Sequence, residues 1–337
     1  MKAAMNLALK TRLLPAGPAA IAAAARTLRA GGLVAFPTET VYGLGADAAS
    51  GEAVARLYAA KGRPSFNPLI AHVPDVDAAR RLAVFNADAE RLAAAFWPGP
   101  LTLVLPRVEG CPVSELATAG LESIALRVPA HAISREILQA FGGPVVAPSA
   151  NLSGHVSPTT AHHVEADLDG CIDLIVDGGP TSVGIESTIV SCLDQPTLLR
   201  PGGISRSEIE TALGKPLTQA IVSKDDAPLA PGMLESHYAP RSKLRLNAKR
   251  VQNDEALLAF GEPLQGAAVT LNLSSSGNLI EAAAHLFAHL RQLDSQSLQG
   301  IAVMPIPNEG LGEAINDRLI RAAAPRQNNP NSFESFD

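Results

Sequence analysis

The chain has 337 residues, a formal net charge of −6, 47% hydrophobic and 18% charged residues. That length suits two domains, the composition excludes a disordered chain, and the acidic balance excludes the basic stripe with which nucleic-acid binders displace counterions. Three scattered cysteines, Cys111, Cys171 and Cys192, fit neither a zinc site nor a secreted disulfide framework, so a reducing cytosol is expected.

Taken in chain order, the apolar run Ala3–Leu9 is cut short by Lys10 and Arg12, so no secretory signal is expected. No uncharged apolar stretch of about 18 residues occurs, and no transmembrane helix is expected either. Alanine-rich Pro18–Ala30 predicts a helix stopped by Gly31-Gly32, and Leu33–Phe36 a buried strand ended by Pro37. Ser50 is placed to cap a helix that runs to the breaker Lys61-Gly62-Arg63-Pro64. Further strands are expected at 69–73, 101–105, 124–128, 145–147, 174–176, 188–192 and 197–199, and helices near 78–82, 87–96, 131–141, 161–168 and 207–213. Interleaved elements with closely spaced strands predict an α/β domain with a twisted mixed sheet.

Pro216, Pro228, Pro231 and Pro240 mark a linker. Beyond it, strands at 244–246, 268–271 and 301–305, with helices near 254–260, 279–290 and 313–323, predict a smaller Rossmann-like α/β domain. The expected division is 14–214, a linker or lid over 215–242, a C-terminal domain over 243–324, and a disordered tail over 325–337.

Three stretches are dense in small and polar residues beside predicted strands: Pro37–Gly45, Pro148–Gly154 and Gly184–Thr188. Loops held by a rigid sheet bind ligands, although each stretch alone also reads as a turn with satisfied hydroxyls. Gly43-x-Gly45-x-x-Ala48 matches the dinucleotide fingerprint only formally, since the strand ends at Phe36 and no acidic residue stands at the ribose offset. No phosphate-binding P-loop and no metal-ligand spacing occurs. Lys61 and Arg63, followed by Asn67 and His72, suit charge build-up on phosphates, or equally a solvated helix end. Arg127 suits two-point capture of a carboxylate, or a local pair with Glu122, and Arg200 has the same two readings.

Pro37–Gly45, Lys61–Pro64 with Asn67–Leu69, Trp97–Thr102, Arg127–Pro129, Pro148–Gly154 and Glu186–Thr188, six motifs in order, resemble the YrdC-like domain of threonylcarbamoyl-AMP synthases. His237–Pro240 and the extra C-terminal domain resemble the two-domain form of that family, although Met233–Ser236 departs from its basic-aromatic linker pattern. The resemblance implies a synthase that joins L-threonine, bicarbonate and ATP, with Mg²⁺ accompanying ATP, for threonylcarbamoyladenosine modification of tRNA. Lys61 and Arg63 are then the catalytic pair; Thr40, His72, Arg127, Ser149 and Ser187 surround L-threonine; Arg63, Asn67, Ser123, Asn151, Thr159, Arg200 and Tyr238 hold ATP. Downstream tRNA threonylcarbamoyl-transferase proteins are the implied partners; direct tRNA contact is not decided by the residues. An RNA-binding or ribosome-maturation module is the alternative, disfavoured by the acidic charge and sparse aromatics.

Overall fold

The computed structural model describes residues 9–219, 238–296 and 298–324. The centre of the expected linker, including Met233–Ser236 and His237, and the expected disordered tail lie outside the described residues. Among the described residues no helix is long and apolar enough to cross a membrane.

The larger sheet has, among the described residues, eleven strands: β1 (Arg12–Pro15), β2 (Val34–Pro37), β3 (Tyr42–Asp47), β4 (Ile70–His72), β5 (Leu101–Pro106), β6 (Ser123–Arg127), β7 (Val145–Val146), β8 (Leu174–Asp177), β9 (Thr188–Ser191), β10 (Thr197–Arg200) and β11 (Thr218–Gln219). Their spatial order is β1-β8-β2-β3-β7-β4-β6-β5-β9-β10-β11. Parallel neighbours such as β4 and β6 alternate with antiparallel ones such as β2 and β3, so the sheet is mixed, as the close strand spacing predicted.

Eight described helices accompany it: α1 (Pro18–Arg29), α2 (Gly51–Lys61), α3 (Val76–Arg80), α4 (Ala87–Phe96), α5 (Glu115–Thr118), α6 (Ala132–Phe141), α7 (Ala161–Leu168) and α8 (Arg206–Leu213). Ser50 caps α2 by accepting from the Ala53 amide at 3.2 Å, and α8 opens with a capping box between Ser205 and Glu208. The main core packs the inner faces of α2, α4 and α7 on the sheet, while α1 and α6 close a second core with β2 and β8.

The second sheet, β12 (Lys243–Arg245), β13 (Glu255–Ala259), β14 (Thr270–Asn272) and β15 (Gly300–Val303), is parallel throughout in the order β12-β15-β13-β14. Helices α9 (Leu279–Asp294) and α10 (Gly312–Ala323) pack on it. One expectation fails here: the segment 254–260, for which the sequence predicts a helix, forms β13. All five of its residues are buried between β14 and β15, and that environment overrides the helical preference of alanine and leucine. Val41, Val156 and Ile185 of the larger unit join the apolar core of the smaller one, so the two pack against each other at these loops.

Candidate active site

Strand β3 is the element the sequence concealed, and it organises the site. It pairs antiparallel with β2, and the isolated bridge between Gly43 and Ser149 lays the second motif beside the first. Leu44 donates to the Pro148 carbonyl at 2.7 Å and Ala150 to the Tyr42 carbonyl at 2.8 Å. Glycine permits this approach: a Cβ on Gly43 would stand 3.1 Å from the Ala147 Cβ, and one on Gly45 would stand 2.6 Å from the Phe36 ring. These glycines are strand residues packed on neighbours, which disposes of the dinucleotide-loop reading.

One cavity gathers Thr40, Arg63, His72, Arg127, Ser149, Ser187, Arg200 and Tyr238 with Val41, Ile70, Ala147, Pro148 and Glu186. Its floor is a sheet face. Ile70 and His72 alternate with core residue Ala71, and His72 is in register with Arg127, so period-two alternation carries both functional side chains to one side. All three polar loops singled out beside strands contribute to the lining, through Thr40 and Val41, Pro148 and Ser149, and Glu186 and Ser187. In this mixed sheet β2 and β7 run opposite to β4 and β6, so their carboxyl ends share no edge.

Arg127, 4% exposed, donates through Nη2 to Glu39 Oε1 at 2.6 Å and through Nε to the Gly99 carbonyl at 3.3 Å. Its acidic partner is therefore Glu39 and not Glu122. Glu39 Oε2 accepts from the Ala130 amide at 3.1 Å, which fixes the carboxylate from its other side. These contacts orient the guanidinium while it lines the cavity with further N–H donors. His72 is buried, and desolvation followed by the Arg127 charge lowers its pKa to about 3, so it is neutral at physiological pH. Nδ1 lies 3.2 Å from the Ile70 carbonyl, which can only accept; this assigns the proton to Nδ1 and leaves Nε2 as an acceptor.

Lys61 is 2% exposed, which overturns the solvated helix-end reading. Its Nζ donates to the Ser149 carbonyl at 2.6 Å and the Asn151 carbonyl at 2.5 Å, and Ser153 N donates back to the Lys61 carbonyl at 2.8 Å. The lysine thus ties the end of α2 to the Ser149–Asn151 loop. Burial, then the nearby Arg63 charge, holds its pKa well below the usual lysine value. Arg63 leans on the Asn67 and Pro68 carbonyls at 3.4 and 3.2 Å. Burial, reinforced by the like charge of Arg200, lowers its pKa to about 10, so it stays protonated at neutral pH. Arg200 donates to the Ser187 carbonyl at 2.9 Å and to Ser187 Oγ at 3.1 Å, and Thr102 Oγ1 lies 2.8 Å from the same hydroxyl.

Five predicted site residues do not line the cavity: Lys61, Asn67, Ser123, Asn151 and Thr159. Ser123 pairs with Pro106 along β5 and β6, and Thr159 Oγ1 lies 3.3 Å from His163 Nδ1. Asn151 spends its amide donors on the Leu152 and His155 carbonyls at 2.9 and 2.8 Å. The side-chain oxygens of both Asn67 and Asn151 are buried with no partner among the described residues. Tyr238 is fully buried, stacks on Phe287 with centroids 5.5 Å apart, and closes one wall.

Sequence reasoning missed three groups. Glu39 and Glu186 stood inside quoted motifs, but nothing local distinguished them as buried, ion-paired acids. Arg318 had a readable signal, a charge on the apolar stripe Ala314, Ile315, Leu319 and Ala322 of α10.

Comparison with known proteins follows the same geography. The family model described as telomere recombination matches residues 26–202, and that of the threonylcarbamoyl-AMP synthase C-terminal domain matches residues 204–324. A threonylcarbamoyl-AMP synthase of Bacillus subtilis is 42% identical over 91% of this chain and 93% of its own, and one from Pyrococcus abyssi is 42% identical over 90% and 94%. The crystal structure of P. abyssi Sua5 complexed with L-threonine superposes with a TM-score of 0.86 at 38% identity, covering 93% of this chain and 98% of that one. With two family models meeting end to end on a shared fold, the chain belongs to the threonylcarbamoyl-AMP synthase family.

Proposed function

We propose that this enzyme forms threonylcarbamoyl-AMP and pyrophosphate from L-threonine, bicarbonate and ATP, supplying the activated group for N6-threonylcarbamoyladenosine in tRNA. The observation that carries the reading is the convergence of Arg63, Arg127 and Arg200 with Thr40, His72, Ser149 and Ser187 in one cavity. Arg127 faces the threonine carboxylate, and the hydroxyls with His72 Nε2 receive its amine and hydroxyl. Arg63 and Arg200 meet the triphosphate, with Lys61 behind them; Asn67, Ser123, Asn151, Thr159 and Tyr238 serve the rest of the nucleotide. The unpartnered Asn67 and Asn151 oxygens support this assignment, because a buried acceptor left unmade costs about 1–3 kcal/mol and invites a donor.

In the reaction, the threonine amine adds to bicarbonate with loss of water to give a carbamate. A carbamate oxygen attacks the α-phosphorus, the bond to the β-phosphate bridging oxygen breaks, and pyrophosphate leaves. No side chain becomes covalently attached; alignment and fixed positive charge stabilise the transition state. Among the described residues no group of three or more His, Cys, Asp or Glu side chains is gathered to hold a metal, and both Glu186 oxygens are already engaged. Mg²⁺ accompanies ATP in this reading, held chiefly by the phosphates. We place the reaction in the cytoplasm, with a downstream tRNA threonylcarbamoyl-transferase taking the product.

The test is pyrophosphate release with each substrate omitted in turn, in wild type and Arg63→Ala. Release should require all three substrates and fall by about two orders of magnitude or more in the variant. Equal release without threonine or bicarbonate would refute the assignment.

A further inference from the structure

The smaller unit bears on the cavity through Phe287, which stacks on Tyr238, and through Arg318, which reaches Glu186. Arg318 lies on the apolar stripe of α10 and is 0% exposed, a position that demands partners. It finds them across the junction: Nε donates to Glu186 Oε2 at 2.8 Å and Nη2 to the Pro201 carbonyl at 3.0 Å, while its guanidinium carbon stands 5.2 Å from the Tyr238 ring centroid. Nη1 donates to Asp317, which also accepts from Arg321 at 2.9 Å. The remaining Glu186 oxygen, Oε1, accepts from Ser157 Oγ at 2.5 Å, so both oxygens are engaged.

The register of this contact is firmly held. Arg206 pairs with Glu313 at 2.7 Å, Arg291 with Asp167 at 2.8 Å, and Gly184 is pressed against the α9 backbone at Ala283 and Ala284. Glu186 lines the same cavity as Arg63, Arg127 and Arg200. Burial by itself raises the Glu186 pKa, but the Arg318 and Arg200 charges and Ser157 outweigh it and hold the group at about 2. The carboxylate is therefore ionised at neutral pH, and an ionised carboxylate in that wall opposes any phosphate that enters.

We infer that Arg318 is a positioning residue that cancels the Glu186 charge and keeps the carboxylate turned toward Ser157. The C-terminal domain thereby sets nucleotide affinity without touching the nucleotide. This rests on the reading that a nucleoside triphosphate occupies the cavity.

The experiment is calorimetric titration of ATP into wild type, Arg318→Lys, Arg318→Met and the double variant Glu186→Gln/Arg318→Met, with folding of each checked by thermal melting. Arg318→Met should weaken ATP binding about tenfold, Arg318→Lys should stay near wild type, and the double variant should recover to within about threefold, because it removes the unbalanced charge together with its partner. A purely structural arginine would show no such recovery. Wild-type affinity in Arg318→Met, or a folded double variant no tighter than the single, overturns the inference. If Arg318→Met does not fold, the double variant and Arg318→Lys decide: tight binding in both supports the inference, and weak binding in a folded double rejects it. Absence of ATP binding by wild type would instead remove the functional reading on which the inference stands.

Discussion

Glu39 and Arg127, 88 residues apart in the chain, form a buried ion pair at 2.6 Å in which Arg127 lines the cavity and Glu39 does not. One guanidinium edge is thereby committed to the protein, which is how a long, flexible side chain is held in a single orientation. Replacing Glu39 by alanine strands a buried cation, and loss of one partner of such a pair costs about 3–5 kcal/mol. Urea denaturation should show a loss of that order. Calorimetry should show L-threonine affinity falling more than ATP affinity; an equal fall in both would mean that the pair does not serve the amino acid in particular.

Lys61→Met keeps the length of the side chain and removes the donors to the Ser149 and Asn151 carbonyls. The Ser149 carbonyl keeps the Asn151 amide at 3.0 Å, but the Asn151 carbonyl loses its lysine donor; a buried acceptor left unmade costs about 1–3 kcal/mol, so the variant should lose stability of that order. Pyrophosphate release should fall about a hundredfold or more at saturating substrates, since the loop tied by Lys61 carries Ser149. A stable variant with wild-type turnover would contradict this.

His72 gives the protein a defined acid limit. Its folded pKa is depressed to about 3 against 6.5 when unfolded, so between these values the unfolded chain binds the additional proton and stability falls as pH falls. From pH 6.5 to 4 this amounts to about 3 kcal/mol. Glu186, held at about 2, acts in the same direction, since the stability it contributes above its unfolded pKa of 4.5 is lost as pH drops toward its folded value. Stability against pH, measured by denaturant midpoints for wild type and His72→Gln, should show a shallower slope in the variant between pH 6.5 and 4. Parallel curves would exclude the histidine as the cause.

Gly184 combines a left-handed φ of 76° with contact so close that a Cβ would stand 2.5 Å from the Ala283 carbonyl oxygen. Gly179 has a similar φ of 81° with nothing within 4 Å of its would-be Cβ. Gly179→Ala therefore adds only backbone strain, about 1 kcal/mol, whereas Gly184→Ala must also push α9 off the loop and should cost about 3 kcal/mol or more. Melting temperatures of the two variants separate the effects, and equal destabilisation would show that the junction yields freely.

Most helices and strands of the larger unit were legible because their signals are local: Ser50 at a helix start, and apolar runs cut by proline and glycine. Strand β3 was not legible, since Gly43 and Gly45 lower strand propensity and owe their place to Ala147 and Phe36 packed against them. Strand β13 failed for the opposite reason. A short run of alanine and leucine suits a buried helix and a buried strand alike, and only the neighbours on both edges choose between them.

The sequence by itself determined which chemistry is available: a lysine and arginine at a helix exit, arginines at the ends of β6 and β10, and three loops rich in hydroxyls and small residues. The order of those motifs sufficed to identify the family. Tertiary structure alone decided which charges face the cavity and which are balanced behind it. Glu39 on Arg127, two carbonyls on Lys61, and Arg318 on Glu186 are contacts between residues 88 to 132 positions apart. Ion pairing and desolvation depend on distance in space, and a linear string of residues does not carry that distance.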